Sequence, residues 1–384
     1  MSRVDKALNI ADLQKLARRK LPAPLINYID GGADDESNVI GNTNAFDSAK
    51  LIPEFLIDVS NVDISTRVLG RDISMPLFLS PTGMSRLFHH DGEIAVSKAA
   101  ATANTYYSLS TLGSTSIEDV AAVCDGPKCF QIYVMKDRGI TRELIQRCKD
   151  AKFDALALTV DVPAPSNRER EIRYGFTLPP KLTWSAKSGF IFKPAWVYNY
   201  LTSPAFEFAN IADKIDQGGA ENCSLIDFFG EQFAGSVSWK DMEWMISEWG
   251  GPFAIKGVLA PADARKAVDA GVTAIMVSNH GGRQLDGCLS AFDALGPIVD
   301  EVGGECEIIC DGGIRRGTHV LKALARGATA CSMGRPYLYG LAAGGEAGVT
   351  KALELLRAEI KTGVALLGCT SVDQVSQKHI SQKT

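Results

Sequence analysis

The chain has 384 residues, 46% of them apolar, with a formal net charge of −5 and both signs interspersed, so a barrel of about 250 residues fits with room for additions. No long basic run appears, which excludes nucleic acid as the main partner because phosphate binding needs clustered Lys and Arg. Nine Cys without a Cys-x-x-Cys pair read as buried thiols in a reducing, cytoplasmic compartment, and the charged, h-region-free N-terminus and lack of a long apolar stretch argue against a signal peptide or a spanning helix.

Residues 1–74 contain LPAPLINYIDGGADDE and precede any repeat. From Met75 the chain repeats one unit: a short apolar run, a turn and an amphipathic helical pattern. The runs are MPLFLSP from Met75, TYYSLST from Thr105, CFQIYV from Cys129 and ALALTVD from Ala155. After a gap come FAIKGV from Phe253, AIMVSNH from Ala274, EIICDGG from Glu307 and ACSMGR from Ala330. Near-continuous apolarity marks parallel strands buried on both faces.

Between the runs, GEIAVSKAAATA, SIEDVAAV, TRELIQRCKDA, PADARKAVDAG and THVLKALARGA carry helical periodicity. Pro261 suits a helix start; Gly271 and Gly327 suit helix ends. Eight strands alternating with helices predict an α/β fold, a TIM (β/α)8 barrel. The expected organisation is one domain over 1–384, with 1–74 as an N-terminal helical segment and 180–240 as an insertion after the fourth strand. That insertion is too long for an ordinary loop. Its SGFIFKPAWVYNYLTSPAFEF stretch is rich in Phe, Trp and Tyr and reads as a lid, an oligomer contact or a membrane-surface patch.

Each strand ends on chemistry-capable residues: Thr82, Ser110, Gln131 with Tyr133, Thr159 with Asp161, Lys256, His280, Asp311 and Arg335. A TIM barrel builds its active site at these C-terminal ends. The densest signal is SNHGGRQLD, Ser278 to Asp286, where His280 offers a base and Arg283 an anion clamp in one loop. His89 and His90 are expected to point apart, with no metal site, and His319 and His379 read as structural or surface residues.

SNHGGRQLD resembles the active-site signature of the FMN-dependent L-2-hydroxy acid oxidase and dehydrogenase family. The likeness runs through PTGM, QIYV, LTVDVP, NRERE, IKGV, DGGIRRG and GRPYLYGLAAGGEAGV, across nearly the whole chain. It implies FMN as cofactor and oxidation of a small L-2-hydroxy acid to its 2-keto acid. His280 resembles the base, and Asp161 the carboxylate that raises its pKa and orients it. Arg168 and Arg283 resemble the substrate-carboxylate clamps. Tyr28 and Tyr133 resemble hydroxyl donors to the substrate, Tyr133 also taking part in catalysis.

By the same resemblance, Lys256 faces negative charge on the reduced flavin. Ser110, Gln131, Thr159 and Ser278 bond the flavin ring and ribityl chain, and Pro81, Thr82 and Gly83 face the ring edge. The phosphate falls to Asp311, Gly312, Gly313 and Arg315 after the seventh strand and to Gly334 and Arg335 after the eighth.

Gly83 stands where glycolate-oxidase-like members usually have Ala, and the aromatic insertion resembles that of bacterial dehydrogenases that meet the membrane. The resemblance is therefore to the L-lactate dehydrogenase branch, with an external quinone or cytochrome acceptor. It implies a homotetramer and peripheral contact with the cytoplasmic face of the inner membrane through 187–210. Leu112 stands where glycolate oxidases carry Trp, so L-lactate is expected over glycolate; Met135 and Pro165 are expected to shape the pocket. Alternatives are an (S)-mandelate dehydrogenase or an oxygen-using oxidase. Outside the family they are an FMN-dependent isomerase, a peptide-modifying oxidase or a non-enzymatic flavin-binding protein. The Arg pair argues against the first two, and His280 with Asp161 against the last. No Walker or Rossmann fingerprint points to ATP or NAD.

Overall fold

The computed structural model describes residues 2–176, 190, 192–217 and 235–382. Eight strands form a closed, all-parallel barrel: β1 Leu77–Thr82, β2 Tyr107–Ser110, β3 Lys128–Ile132, β4 Ala155–Thr159, β5 Phe253–Val258, β6 Ala274–Ser278, β7 Glu307–Asp311 and β8 Ala330–Met333. Each falls on one of the eight apolar runs to within a residue, and β8 closes on β1 through the Cys331–Leu77 register. The fold is the TIM barrel that the alternation predicts.

Two apolar layers hold it. Inside the barrel, Ala155, Ala157, Ala254, Ala274 and Ala330 leave room for Phe78, Tyr106, Met276 and Ile309. The larger layer packs the outer strand faces against the helices. The hairpin Thr66–Val68 with Arg71–Ile73 closes the N-terminal end of the barrel. Its Val68, Leu69 and Ile73 join the inner cluster. Its backbone is fastened by Tyr106 Oη donating to the Leu69 carbonyl at 2.7 Å and by Leu69 N–H donating to Glu307 at 2.6 Å. With that end plugged, the barrel interior can open only at the opposite mouth.

The punctuation residues act as expected. Pro261 sits in the first turn of the helix Pro261–Asp269. Gly271 and Gly327 follow helices with φ of +94° and +98°. The helix Arg335–Leu366 bends at Gly344 and Gly345, and α1, Ile10–Lys20, packs along it.

The N-terminal segment also reaches the mouth. α2, Ala23–Asp30, and α3, Ser37–Asn44, lie against the loop after β6. There Ala33 N–H donates to the Gly282 carbonyl at 2.9 Å. Asp286 accepts from the N–H groups of Ser37 and Asn38 at 3.1 and 2.9 Å, capping α3 from 248 positions along the chain. Of the insertion expected over 180–240, residues 180–189, 191 and 218–234 lie outside the described residues. The described part includes helices Pro194–Thr202 and Ala212–Gln217, and no residue of the first is buried.

Candidate active site

The strand ends meet in a buried polar network. Lys256 Nζ, from β5, lies 2.8 Å from Asp311 Oδ2, from β7, and 3.1 Å from Ser278 Oγ, from β6. Ser278 Oγ donates to Asp311 Oδ2 at 2.7 Å; Ser80 and Ser332 both donate to Oδ1 at 2.6 Å. Burial opposes the charge on Asp311, but the Lys256 ammonium and these hydroxyls outweigh it and lower its pKa to about 2. Sequence reasoning gave Lys256 an anion on the flavin and put Asp311 at the phosphate. In the structure Asp311 is itself the lysine's counter-ion, and its oxygens are committed to four donors.

His280 opens the loop after β6 in the left-handed region, φ +58°, a conformation that costs a non-Gly residue about 1–3 kcal/mol. Its backbone N–H donates to Ser278 Oγ at 3.1 Å, and its Nδ1 lies 2.8 Å from Asp161 Oδ1. The close approach of Asp161 depends on Gly257, where a Cβ would stand 2.7 Å from the Asp161 side chain. Burial pushes the His280 pKa below the ordinary imidazole value; Asp161 raises it, as expected, but only partly offsets the burial. Burial also opposes the charge on Asp161, yet His280 and Lys256 hold its pKa below the ordinary carboxylate range. With Nδ1–H committed to Asp161, Nε2 carries the lone pair of a neutral imidazole beside the cavity that His280 lines.

The arginines form the facing wall. Arg283 donates through Nη1 to the carbonyls of Tyr28 and Gly31 at 2.7 and 3.0 Å and through Nη2 to Glu171 at 2.8 Å. Its guanidinium stacks 4.4 Å from the Tyr28 ring centroid. Arg168 donates through Nε to Ser166 Oγ at 2.9 Å and through Nη2 to Gln284 Oε1 at 3.1 Å. Tyr133 lines the same cavity, and burial raises its pKa, keeping the phenol protonated. Met84 and Leu112 supply apolar lining. Met135, expected there, is instead packed in the core, and Pro165 is exposed.

Polar atoms suited to a flavin ring lie on β3 and β4, next to the cavity-lining Ser110 and Tyr133. Gln131 Nε2 and Thr159 Oγ1, on neighbouring strands, are buried and without a hydrogen-bond partner among the described residues. Ser110 fixes the Gln131 amide by donating to its Oε1 at 2.8 Å. Pro81 lies within a register shift between β1 and β2, beside Thr82, whose hydroxyl meets Tyr337 Oη at 2.5 Å. At Gly83 a Cβ would stand 2.9 Å from the Leu112 carbonyl. Gly312, Gly313, Arg315 and Gly334 line the cavity, Gly334 at the N-terminus of Arg335–Leu366, a ready anion site. Arg335 also lines the cavity; three of its donors go to the carbonyls of Ile29, Gly281 and Gly31 at 2.7–2.8 Å, bracing the mouth, and two remain.

The chain belongs to the FMN-dependent dehydrogenase family, whose pattern matches residues 17–382. It is 41% identical over 372 residues to glycolate oxidase 3 of Arabidopsis thaliana, covering 97% of this chain and 95% of that one. It is 39% identical over 373 residues to glycolate oxidase of Spinacia oleracea, with the same coverage. Among solved structures, the monotopic membrane protein (S)-mandelate dehydrogenase superposes with a TM-score of 0.92 at 33% identity, covering 98% of this chain and 100% of the other. A mandelate oxidase variant with bound (S)-mandelic acid gives 0.83 at 36% identity, covering 98% and 99%. The cofactor of this chain is FMN, and its reaction is oxidation of a 2-hydroxy acid.

Several contributors carried no sequence signal as single residues: Glu171 between the arginines, Tyr337 behind Thr82, and Asn42, which exchanges two 2.8 Å hydrogen bonds with Asn279 beside His280. His89 and His90 do not point apart; their rings stack at 4.3 Å. Their ligand-capable atoms and that of Asp91 lie within 4.8 Å of one another. Arg19, Lys20 and Arg86 line the same cavity and oppose a cation there. His319 and His379 are buried, structural residues, and the eight described cysteines are all free.

Proposed function

We propose that this chain oxidises L-lactate to pyruvate and passes the electrons to an external quinone or cytochrome. The reading is carried by one observation: the His280–Asp161 pair and the Arg168–Arg283 pair face a single cavity. Arg168 and Arg283 bind the substrate carboxylate, and Tyr28 and Tyr133 orient it. Substrate C2 is then directed toward the flavin end and its hydroxyl toward His280. Neutral Nε2 of His280 takes the proton released as C2 is oxidised, and Asp161 stabilises the imidazolium. FMN, when bound, would supply the acceptor for the two electrons and the second proton that leave the substrate. Gln131, Thr159 and Lys256 would hold its ring. Gly312, Gly313, Arg315 and the helix start at Gly334 would hold its phosphate.

Leu112 and Met84 support a substrate with a small apolar group on C2. A second reading, (S)-mandelate, is favoured by the 0.92 TM-score to a mandelate dehydrogenase. The proposed acceptor goes with peripheral membrane contact through 187–210, supported by the exposed Phe192, Tyr198 and Leu201 around the unburied helix Pro194–Thr202. Residues 187–189 and 191 of that stretch lie outside the described residues, and no described helix is long and apolar enough to cross a membrane. A homotetramer belongs to the same reading, supported by the exposed Ile52, Phe55, Leu56 and Ile57.

The test is anaerobic mixing of the holoenzyme with a panel of L- and D-2-hydroxy acids while following flavin bleaching near about 450 nm. Fastest bleaching by L-lactate supports the reading, and fastest bleaching by (S)-mandelate replaces it with the second. Rapid turnover on oxygen but not on quinone analogues overturns the acceptor.

A further inference from the structure

The helix Glu169–Arg173 follows β4, and its charges go to different neighbours. Arg170 pairs with Glu36 of the N-terminal segment. Arg168, at the helix N-cap, is held by Ser166 and Gln284. Glu171 is buried, and its Oε1 lies 2.8 Å from Arg283 Nη2 and 3.5 Å from Arg168 Nη1. One carboxylate therefore sits between two guanidinium groups that would otherwise face each other in a low-dielectric wall. Burial and Arg283 together push the Arg168 pKa down, the expected mark of that repulsion.

Donors and charge can both be counted. A guanidinium has five N–H donors. Arg283 commits three, to Tyr28, Gly31 and Glu171, which leaves two, enough for one carboxylate held through parallel bonds. Two positive charges and one negative charge leave a single positive charge. One carboxylate neutralises it, and a second would stand unpaired near Glu171.

We propose that Glu171 is a specificity-determining, positioning residue that sets the charge of the accepted substrate, admitting 2-hydroxy monocarboxylates and rejecting 2-hydroxy dicarboxylates. The inference rests on the reading that Arg168 and Arg283 hold the substrate carboxylate. Its test can be read without turnover. Propionate and malonate, which differ by one carboxylate in place of a methyl group, are titrated into oxidised holoenzyme, and binding is followed by perturbation of the flavin spectrum.

Wild type is expected to prefer propionate. In Glu171→Gln, which keeps the shape and removes the charge, the malonate-to-propionate affinity ratio is expected to rise about ten- to thirty-fold, the size of one screened charge at this range. The kcat/KM ratio for L-malate over L-lactate should follow. Glu171→Asp should keep the monocarboxylate preference while weakening both anions. An E171Q ratio unchanged from wild type, with both affinities moving together, gives Glu171 a merely structural role and overturns the proposal. Should E171Q not retain flavin, E171D decides, and loss of its preference is equally fatal. Failure of the functional reading would show separately, as wild-type flavin that no 2-hydroxy acid reduces.

Discussion

The two walls of the barrel mouth are held by different parts of the chain. Around Lys256 and Asp311 every partner is a strand residue: Ser80 of β1, Ser278 of β6 and Ser332 of β8. Around Arg283 the partners are Tyr28 and Gly31 of the N-terminal segment and Glu171 of the loop after β4. Closing the barrel is enough to assemble the first wall. The second needs three separate segments to dock. The flavin side is therefore tied to global stability, whereas the substrate side can vary with its loops and leave the barrel intact, as TIM barrels allow.

The largest effect is expected where the walls meet, at Asp161→Asn. Its kcat should fall about 10²–10⁴-fold, because the imidazolium loses its partner. The acid limb of kcat/KM reports the free enzyme's His280, which must be neutral to accept a proton. Burial already holds its pKa below the ordinary value, and Asp161 pulls it upward. Removing that pull should move the acid limb to lower pH, and a move to higher pH would reverse the assigned electrostatics.

Next comes Lys256→Met, which strands the Asp311 carboxylate in the barrel and should cost about 3–5 kcal/mol in urea unfolding. Arg283→Lys, on the other wall, should lower kcat/KM about ten- to a hundred-fold through loss of the two-pronged grip, with a far smaller change in unfolding. Equal destabilisation by both variants would erase the distinction between the walls. The smallest effect is expected from Arg170→Ala. Its part-buried pair with Glu36 should contribute about 1 kcal/mol to stability in the same measurement.

The strand runs were legible because a barrel strand is buried on both faces and so must be apolar almost throughout. Pro261, Gly271 and Gly327 were legible because their local geometry is a property of one residue. The mouth was legible as a set of polar strand ends, and the convergence of His280, Asp161, Arg168 and Arg283 follows from it. Their partners were not. Glu171 sits in an NRERE run that suits an exposed helix as well as a buried clamp. Asp311 sits in a DGG turn that suits a phosphate as well as a lysine. Only the register of β5, β6 and β7 puts Asp311 beside Lys256. The stacking of His89 on His90 likewise depends on a turn conformation that their adjacency does not dictate.

The sequence by itself determined the repeat, the direction of every barrel strand and the inventory of chemical groups at the strand ends, because apolar periodicity and turn chemistry are local. Tertiary structure decided which charges neutralise which. Lys256 with Asp311, and Glu171 with Arg283, are pairings across tens to more than a hundred residues. Their strength depends on burial and distance, which exist only once the barrel has closed and the N-terminal segment has docked on its mouth.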